Sequence, residues 1–153
     1  MKKGSLFALP AAALLLATFT FCSEDALGLF DVAARQETTL SQALPELKKV
    51  RILHVGELHD SSAHHRAQLE IIRAVYESGS PVLVGLETFE ERNQDVLDAW
   101  ISGSLPEEEF LPHFRSNWGE SWPLYRDIFA YCRSQGIQMA GLNVPRAIVS
   151  QVA

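Results

Sequence analysis

Three short apolar runs constrain the fold of this chain more than any other feature. They are VRILHVG at 50–56, PVLVGL at 81–86 and IQMAGL at 137–142. Near-continuous apolar runs of this length are typical of parallel strands that are covered on both faces. Because helical patterns lie between the runs, the sequence indicates βαβ units and predicts an α/β fold with a parallel sheet and flanking helices.

The segments between the runs carry helix signals. A helix is predicted over 62–78, with Ser61 or Ser62 as N-cap and Gly79 as its stop. Between the second and third runs, three shorter patterns predict a small helical insert, at about 90–102, 107–114 and 121–135.

The last residues begin another helix near Pro145. Three parallel strands alone leave both edges of a sheet unpaired, which a stable domain normally avoids. We therefore expect this chain to be the N-terminal part of a longer domain, with residues 45–153 forming its α/β portion.

The first residues are typical of an export signal. Lys2 and Lys3 precede an apolar run that ends at Cys22, which predicts a signal segment over 1–22 and a polar tether over 23–44. Cys22 indicates lipidation, although Phe21 stands where lipoprotein signals carry a small residue, so ordinary cleavage stays open. The protein is expected to be periplasmic or lipid-anchored to a membrane, with the outer membrane favoured because Ser23 follows the cysteine.

Composition narrows the range of partners. The formal net charge is -6 and 47% of the residues are hydrophobic, so the chain can bury a core but is a poor nucleic-acid binder.

Cys132 lies in an apolar helical pattern and is interpreted as a small buried hydrophobe.

Polar residues follow all three apolar runs. Glu57 and His59 follow the first, Glu87 the second and Asn143 the third. Because ligands bind at the carboxyl ends of parallel strands, these side chains are expected to converge at one edge of the sheet.

The first helix is expected to add His64 and Gln68, which occupy the first turns of its sheet-facing stripe. Two other histidines are interpreted as structural. His54 is expected in the core of the first strand, and His65 is expected to be solvated.

Four ordered motifs give this chain a resemblance to the ChaN-like haem-binding family. They are GELHDSSAHHRAQLEII at 56–72, VGLETFEERNQDVLDAW at 84–100, a W-x-x-x-W-x-x-Y run at 118–125 and GLNVPRAIV at 141–149. The family resembles a wider superfamily that includes Tiki proteases and erythromycin esterase-like enzymes.

The resemblance implies an exported protein of bacterial haem or iron handling that binds a cofacial haem pair across a homodimer. It also implies a tyrosine on the iron and a histidine near a propionate. Tyr125 is a candidate for the iron ligand, although the true ligand is not identified. The spacing of Tyr125 on its helix equally predicts core packing. Arg146 is the local cation expected to meet a propionate.

Two functions from different classes stay open at this point, and so does the question whether the protein is an enzyme. The first is haem binding at a pocket formed with Glu57, His59, His64, Gln68, Glu87, Asn143 and Arg146. The second is a metal-dependent hydrolase in which Glu57, His59 and Glu87 hold Zn²⁺ or Mn²⁺ and one carboxylate acts as general base. A third interpretation is that the polar residues form a buried structural hydrogen-bond network that ties the strand ends together.

Overall fold

The computed structural model describes residues 27–145 together with 148 and 151. The chain forms, in order, β1 (Gly28–Asp31), β2 (Gln36–Thr39), α1 (Leu40–Leu47), α2 (Ser62–Glu77), β3 (Leu83–Glu90), a 3-10 turn (Glu91–Asn93), α3 (Gln94–Ser102), α4 (Glu107–Trp118), α5 (Trp122–Gln135) and β4 (Gln138–Asn143). The predicted α/β class is confirmed. The four helices predicted between residues 62 and 135 are present, with α4 four residues longer than expected. Most of the helix predicted near Pro145 lies outside the described residues.

The central sheet is formed by β3 and β4, which pair in parallel with Leu83 opposite Gln138 and Leu86 opposite Gly141. The register shifts beyond Leu86, so that Glu90 lies opposite Asn143. A Cβ atom on Gly141 would lie 2.8 Å from the carbonyl oxygen of Glu90. Glycine at 141 therefore allows the two strand backbones to approach where the ladder is irregular.

The predicted first strand is wrong. Residues 50–56 form no strand in the structure, and each of them is exposed. They instead run along one wall of a cavity whose other walls are α2 and β3. Hydropathy shows that a segment can be buried, but it does not supply the neighbouring strand that would pair with it.

The core lies between the sheet and the helices α3, α4 and α5. Its largest fully buried side chains are four phenylalanines, a leucine, a methionine and a cysteine: Phe89, Phe110, Phe114, Phe129, Leu97, Met139 and Cys132. The aromatic rings meet at centroid distances of 4.5–6.2 Å. Burial raises the pKa of the Cys132 thiol to about 12, and the interpretation of Cys132 as a buried hydrophobe is confirmed.

Local signals explain where the helices begin and end. The Ser61 hydroxyl accepts a hydrogen bond from the His64 amide at 3.4 Å and caps α2, as predicted. Gly103 and Gly136 end α3 and α5 with φ angles of 78° and 66°, in the left-handed region that favours glycine.

Secondary structure also occurs within the segment interpreted as a tether. Its described part contains the antiparallel pair β1–β2 and the start of α1, where Thr39 and Gln42 form a reciprocal capping box. The strands GLFD and QETT lack apolar alternation, which explains why no strand was predicted there. In the described part of the chain, no helix combines the length and apolarity needed to cross a membrane.

Candidate functional site

Glu57 is the centre of a polar cluster beside the cavity. Its Oε1 accepts hydrogen bonds from His59 Nδ1 at 2.9 Å and from the Tyr125 hydroxyl. Its Oε2 accepts from Gln68 Nε2 at 2.8 Å, and His65 Nε2 approaches the same oxygen at 3.3 Å without hydrogen-bond alignment. The Glu57 side chain is only 11% exposed, so four neighbours surround one nearly buried carboxylate.

The packing of α2 on α5 brings this cluster together. Gln68 and His65 come from the first half of α2, and Tyr125 comes from the start of α5. The His65 and Tyr125 rings meet edge to face at 4.2 Å, and His65 Nδ1 lies 2.7 Å from the Ser61 carbonyl oxygen. Because a carbonyl only accepts, Nδ1 of His65 carries a proton and donates it.

Burial and hydrogen bonding act in opposite directions on Glu57. Burial alone raises the pKa of this carboxyl, but hydrogen bonds from Tyr125, His59 and Gln68 outweigh burial and hold the pKa below its usual value. Burial, followed by the hydrogen bond to Glu57, raises the pKa of the Tyr125 hydroxyl. The cluster therefore contains a carboxylate and a protonated phenol.

The other predicted residues lie in different places. Glu87 is exposed and lines the same cavity, and its backbone oxygen accepts a hydrogen bond from Asn143 Nδ2 at 3.1 Å. Glu87 was predicted to follow its strand but lies within β3, which continues to Glu90. Glu90 is the β3 residue that lies opposite Asn143 at the end of β4. His64 Nδ1 accepts from the Leu58 amide at 2.9 Å, which makes His64 a support for the turn before α2. Arg146 lies outside the described residues.

Two interpretations of histidine are wrong. His65 was expected in solvent but is 3% exposed, because α5 covers this side of α2 and Glu57 reaches it. His54 was expected in a strand core but is exposed, since residues 50–56 join no sheet.

Sequence reasoning assigned Tyr125 to the core or to a haem iron, used Trp118 only as the start of the W-x-x-x-W-x-x-Y run, and did not connect either side chain with Glu57. Trp118 Nε1 donates to the Tyr125 hydroxyl at 3.1 Å, and its ring meets His59 edge to face at 5.0 Å. The W-x-x-x-W-x-x-Y run was the sequence signal that could have identified Trp118 and Tyr125 as residues of the cluster. The aromatic spacing of this run also fits core packing. Tyr125 is 3% exposed, so its ring packs in the core while its hydroxyl donates to Glu57.

The structure does not support the predicted divalent-metal site. Within the residues it describes, no group of three or more histidine, cysteine, aspartate or glutamate side chains is arranged to hold a metal ion. Both oxygens of Glu57 already accept hydrogen bonds, which leaves this carboxylate poorly placed as a metal ligand or general base.

A cavity of about 920 Å³ adjoins the cluster. Aliphatic side chains from residues 50–56, α2 and β3 form most of its wall, among them Ile52, Val55, Ile71, Val75, Val84 and Leu86. The polar cluster contributes Glu57, His59, Gln68 and Tyr125 to the lining. A largely apolar cavity with a few convergent polar groups is typical of sites that bind an organic ligand or cofactor.

The fold and the site define an α/β protein with a largely apolar cavity beside a nearly buried carboxylate cluster. The family model described as "Haem-binding uptake, Tiki superfamily, ChaN" matches residues 43–153, and the chain belongs to this family.

The solved structure "Cofacial heme binding to ChaN of Campylobacter jejuni" is similar in fold. Its TM-score is 0.69 at 20% sequence identity, and the match covers 84% of this chain. The chain spans 53% of the length of that solved chain. A search of curated proteins finds no match.

Proposed function

We propose that this protein binds haem in the cavity beside Glu57 and acts in haem uptake. The observation that carries the proposal is the apolar cavity itself, in a chain that belongs to a haem-binding uptake family. Haem is a large apolar plate with two anionic propionates, so it needs apolar walls together with a cation at one end.

The cavity provides that cation. Among the described residues that line it, Arg51 is the one arginine or lysine. Lys48 Nζ donates to the Ser78 carbonyl at 3.3 Å, whereas Glu57 is bound to Gln68. Ser78, which caps α2, and Gln68 lie about 15 Å apart along the helix axis, at 1.5 Å per residue. We include in the proposal that Arg51, which lies three residues after Lys48 and six before Glu57, stands toward the end of the cavity away from Glu57.

This charge separation gives the haem an orientation. The Glu57 carboxylate repels propionates from its own end, and Arg51 attracts them to the other. On this placement the anionic and cationic groups stand at different ends of the cavity, so the Glu57 carboxylate is compatible with a bound haem.

The rim of the cavity favours a pairing of two copies. Ile52, Leu53, Leu83 and Leu142 are large hydrophobic residues with exposed fractions of 73%, 40%, 64% and 65%. The solved ChaN structure is described as binding haem cofacially. We include in the proposal a homodimer in which two such rims enclose a cofacial haem pair, to be tested by sedimentation velocity with and without haem.

The proposal includes export. Lys2, Lys3 and the apolar run to Cys22 support a secretory signal, with a periplasmic or lipid-anchored product and the outer membrane as the favoured site. A haem carrier in that compartment would meet haem before it enters the cell.

The direct test is a titration of ferric haem into the purified chain, followed by the haem absorption band. Saturable binding is expected, and Arg51→Ala should weaken it by about tenfold or more, as expected for loss of a charge-assisted hydrogen bond. Arg51→Lys should retain most of the affinity. Arg115→Ala is the control, because Arg115 is exposed and pairs with Glu120. A chain that shows no saturable change in the haem band would contradict the proposal.

A further inference from the structure

The β1–β2 hairpin ends in an apolar loop that faces solvent. Its strands pair with Phe30 opposite Glu37, and the loop that joins them is Val-Ala-Ala-Arg at 32–35. Hairpin loops are normally rich in glycine, asparagine and aspartate. Here Phe30 is 60% exposed and Val32 is 80% exposed, the highest fraction of any exposed large hydrophobic residue in the described chain. Apolar side chains gathered at an exposed loop indicate a surface that contacts a partner.

The hairpin has no part in the interior of the protein. Among the described residues, the hydrophobic core begins in chain order at Leu69, and the lining of the cavity begins at Leu47. The exposed side chains of Phe30 and Val32 therefore belong neither to the core nor to the haem site. Their exposure is explained by neither the fold nor haem binding.

The loop presents apolar side chains with one cation beside them. The Asp31 carboxylate accepts a hydrogen bond from the Ala34 amide at 2.8 Å, which turns this negative charge toward the backbone of the loop. Arg35 closes the loop with a φ angle of 53° and is exposed. Apolar side chains next to an arginine match the boundary of a bilayer, where acyl chains lie below the anionic phosphates.

The position of the hairpin in the chain identifies the partner. Gly28, the first residue of β1, lies six residues after Cys22, the predicted site of lipidation. Six residues span at most about 22 Å when fully extended, and the four residues from Gly28 to Val32 add about 13 Å. A lipid on Cys22 would therefore hold the base of the hairpin so close to the membrane that the apolar loop can reach it.

We propose that the hairpin tip, formed by Phe30 and residues 32–35, inserts into the lipid bilayer as a second membrane contact beside the Cys22 anchor. This inference rests on the export and lipid anchoring that the proposed function includes. Membrane attachment strengthens with the apolar area that enters the lipid, and two linked contacts hold more firmly than either alone. Insertion is shallow, because the Glu37 carboxylate opposite Phe30 stays among the headgroups. Two contacts also fix the orientation of the domain on the membrane, whereas one tether leaves it free to rotate.

The test measures depth in the lipidated full chain, purified from bacterial membranes and reconstituted in vesicles of phosphatidylethanolamine and phosphatidylglycerol. A spin label on Val32→Cys reports the tip, and a label on Ser116→Cys, at an exposed position of α4, is the control. Cys22 is acylated in this protein and Cys132 is buried, so neither takes the label. The label at position 32 should collide mainly with oxygen, which concentrates in lipid. The label at position 116 should collide mainly with a water-soluble nickel complex.

Phe30→Ser in the Val32→Cys background separates insertion of the tip from insertion caused by the label. The second change should raise the nickel accessibility of the label several-fold, because the tip loses its largest apolar side chain. Haem binding by this variant should be unchanged, since the described lining of the cavity begins at Leu47. Circular dichroism should show an unchanged fold, because Phe30 is exposed.

The outcomes separate this inference from the proposed function. A label at position 32 that stays accessible to nickel on acylated, vesicle-bound protein overturns the hairpin contact, and export, anchoring and haem binding stand. Accessibility unchanged by Phe30→Ser overturns it too, and so does dipolar broadening between labels, which would show that the tip pairs with a second copy. An unmodified Cys22 removes both the anchor and the contact that rests on it, and the haem titration decides the haem function separately.

Discussion

Tyr125 donates a hydrogen bond to Glu57 across 68 positions of sequence, and this bond joins α5 to the turn that precedes α2. Both side chains are largely withdrawn from solvent, with Tyr125 only 3% exposed. The phenol therefore contributes to the architecture of the site, and it holds the carboxylate that in turn holds His59.

The first prediction concerns this bond. Tyr125→Phe should lower the free energy of unfolding by about 1–3 kcal/mol, since the change removes the donor from a nearly buried acceptor. The measurement is urea denaturation followed by circular dichroism. Tyr131→Phe is the matched control, because the Tyr131 hydroxyl makes a 3.3 Å bond to Glu77 in an exposed setting. Equal decreases in the free energy of unfolding of the two variants would show that the hydrogen bond to Glu57 stabilises the fold no more than the exposed one does.

The second prediction concerns the irregular part of the sheet. Gly141→Ala should destabilise the fold by about 1–3 kcal/mol, because its Cβ would meet backbone atoms of Glu90 that cannot move without disturbing β3. Gly56→Ala is the control, since a Cβ there meets no atom within 4 Å. Thermal unfolding of both variants gives the comparison, and a Gly141→Ala protein as stable as the parent would contradict the close approach.

The third prediction concerns acid stability. Hydrogen bonds from Arg126, then from Trp122, hold the pKa of Glu107 below its usual 4.5. A carboxyl whose pKa is lowered in the folded state contributes its full stabilisation at pH values above its unfolded-state pKa. This contribution is lost as the pH falls through the lower folded-state pKa. Glu107→Gln should therefore reduce stability at neutral pH and flatten the loss of stability below about pH 4.5.

Glu108→Gln is the control for that change. Glu108 lies in the same first turn of α4, so its neutralisation has the same effect on the helix dipole. The measurement is the urea midpoint at a series of pH values. Identical pH profiles for the two variants would show that the pairing of Glu107 with Arg126, at 2.9 Å and 3.1 Å, contributes nothing.

The fourth prediction concerns Cys22, which lies outside the described residues. If the export signal ends in a lipidated cysteine, labelled palmitate should enter the protein in bacterial cells, and Cys22→Ser should abolish labelling and membrane association. Cys132→Ser should leave both unchanged, since Cys132 is buried in the core. A soluble product that keeps an unmodified Cys22 would contradict lipidation.

Local signals in the sequence were sufficient for much of the fold. The α/β class, the parallel pair β3–β4 and the helices α2 to α5 all follow from apolar runs, helical periodicity and capping residues such as Ser61. The strand predicted at 50–56 failed because pairing needs a neighbour, and composition does not reveal one.

From the sequence alone we predicted that Glu57, His59, Gln68 and Glu87 lie together at one edge of a sheet, where strand ends and helix starts meet. All four line one cavity in the structure, although residues 50–56 join no sheet and Glu87 lies within β3. Only the tertiary structure decided their roles. The packing of α5 on α2 delivers Tyr125 and His65 to Glu57, and the two oxygens of this carboxylate accept hydrogen bonds from Tyr125, His59 and Gln68. Helical periodicity identifies which residues share a face, but the partner of that face depends on how the helices pack in three dimensions.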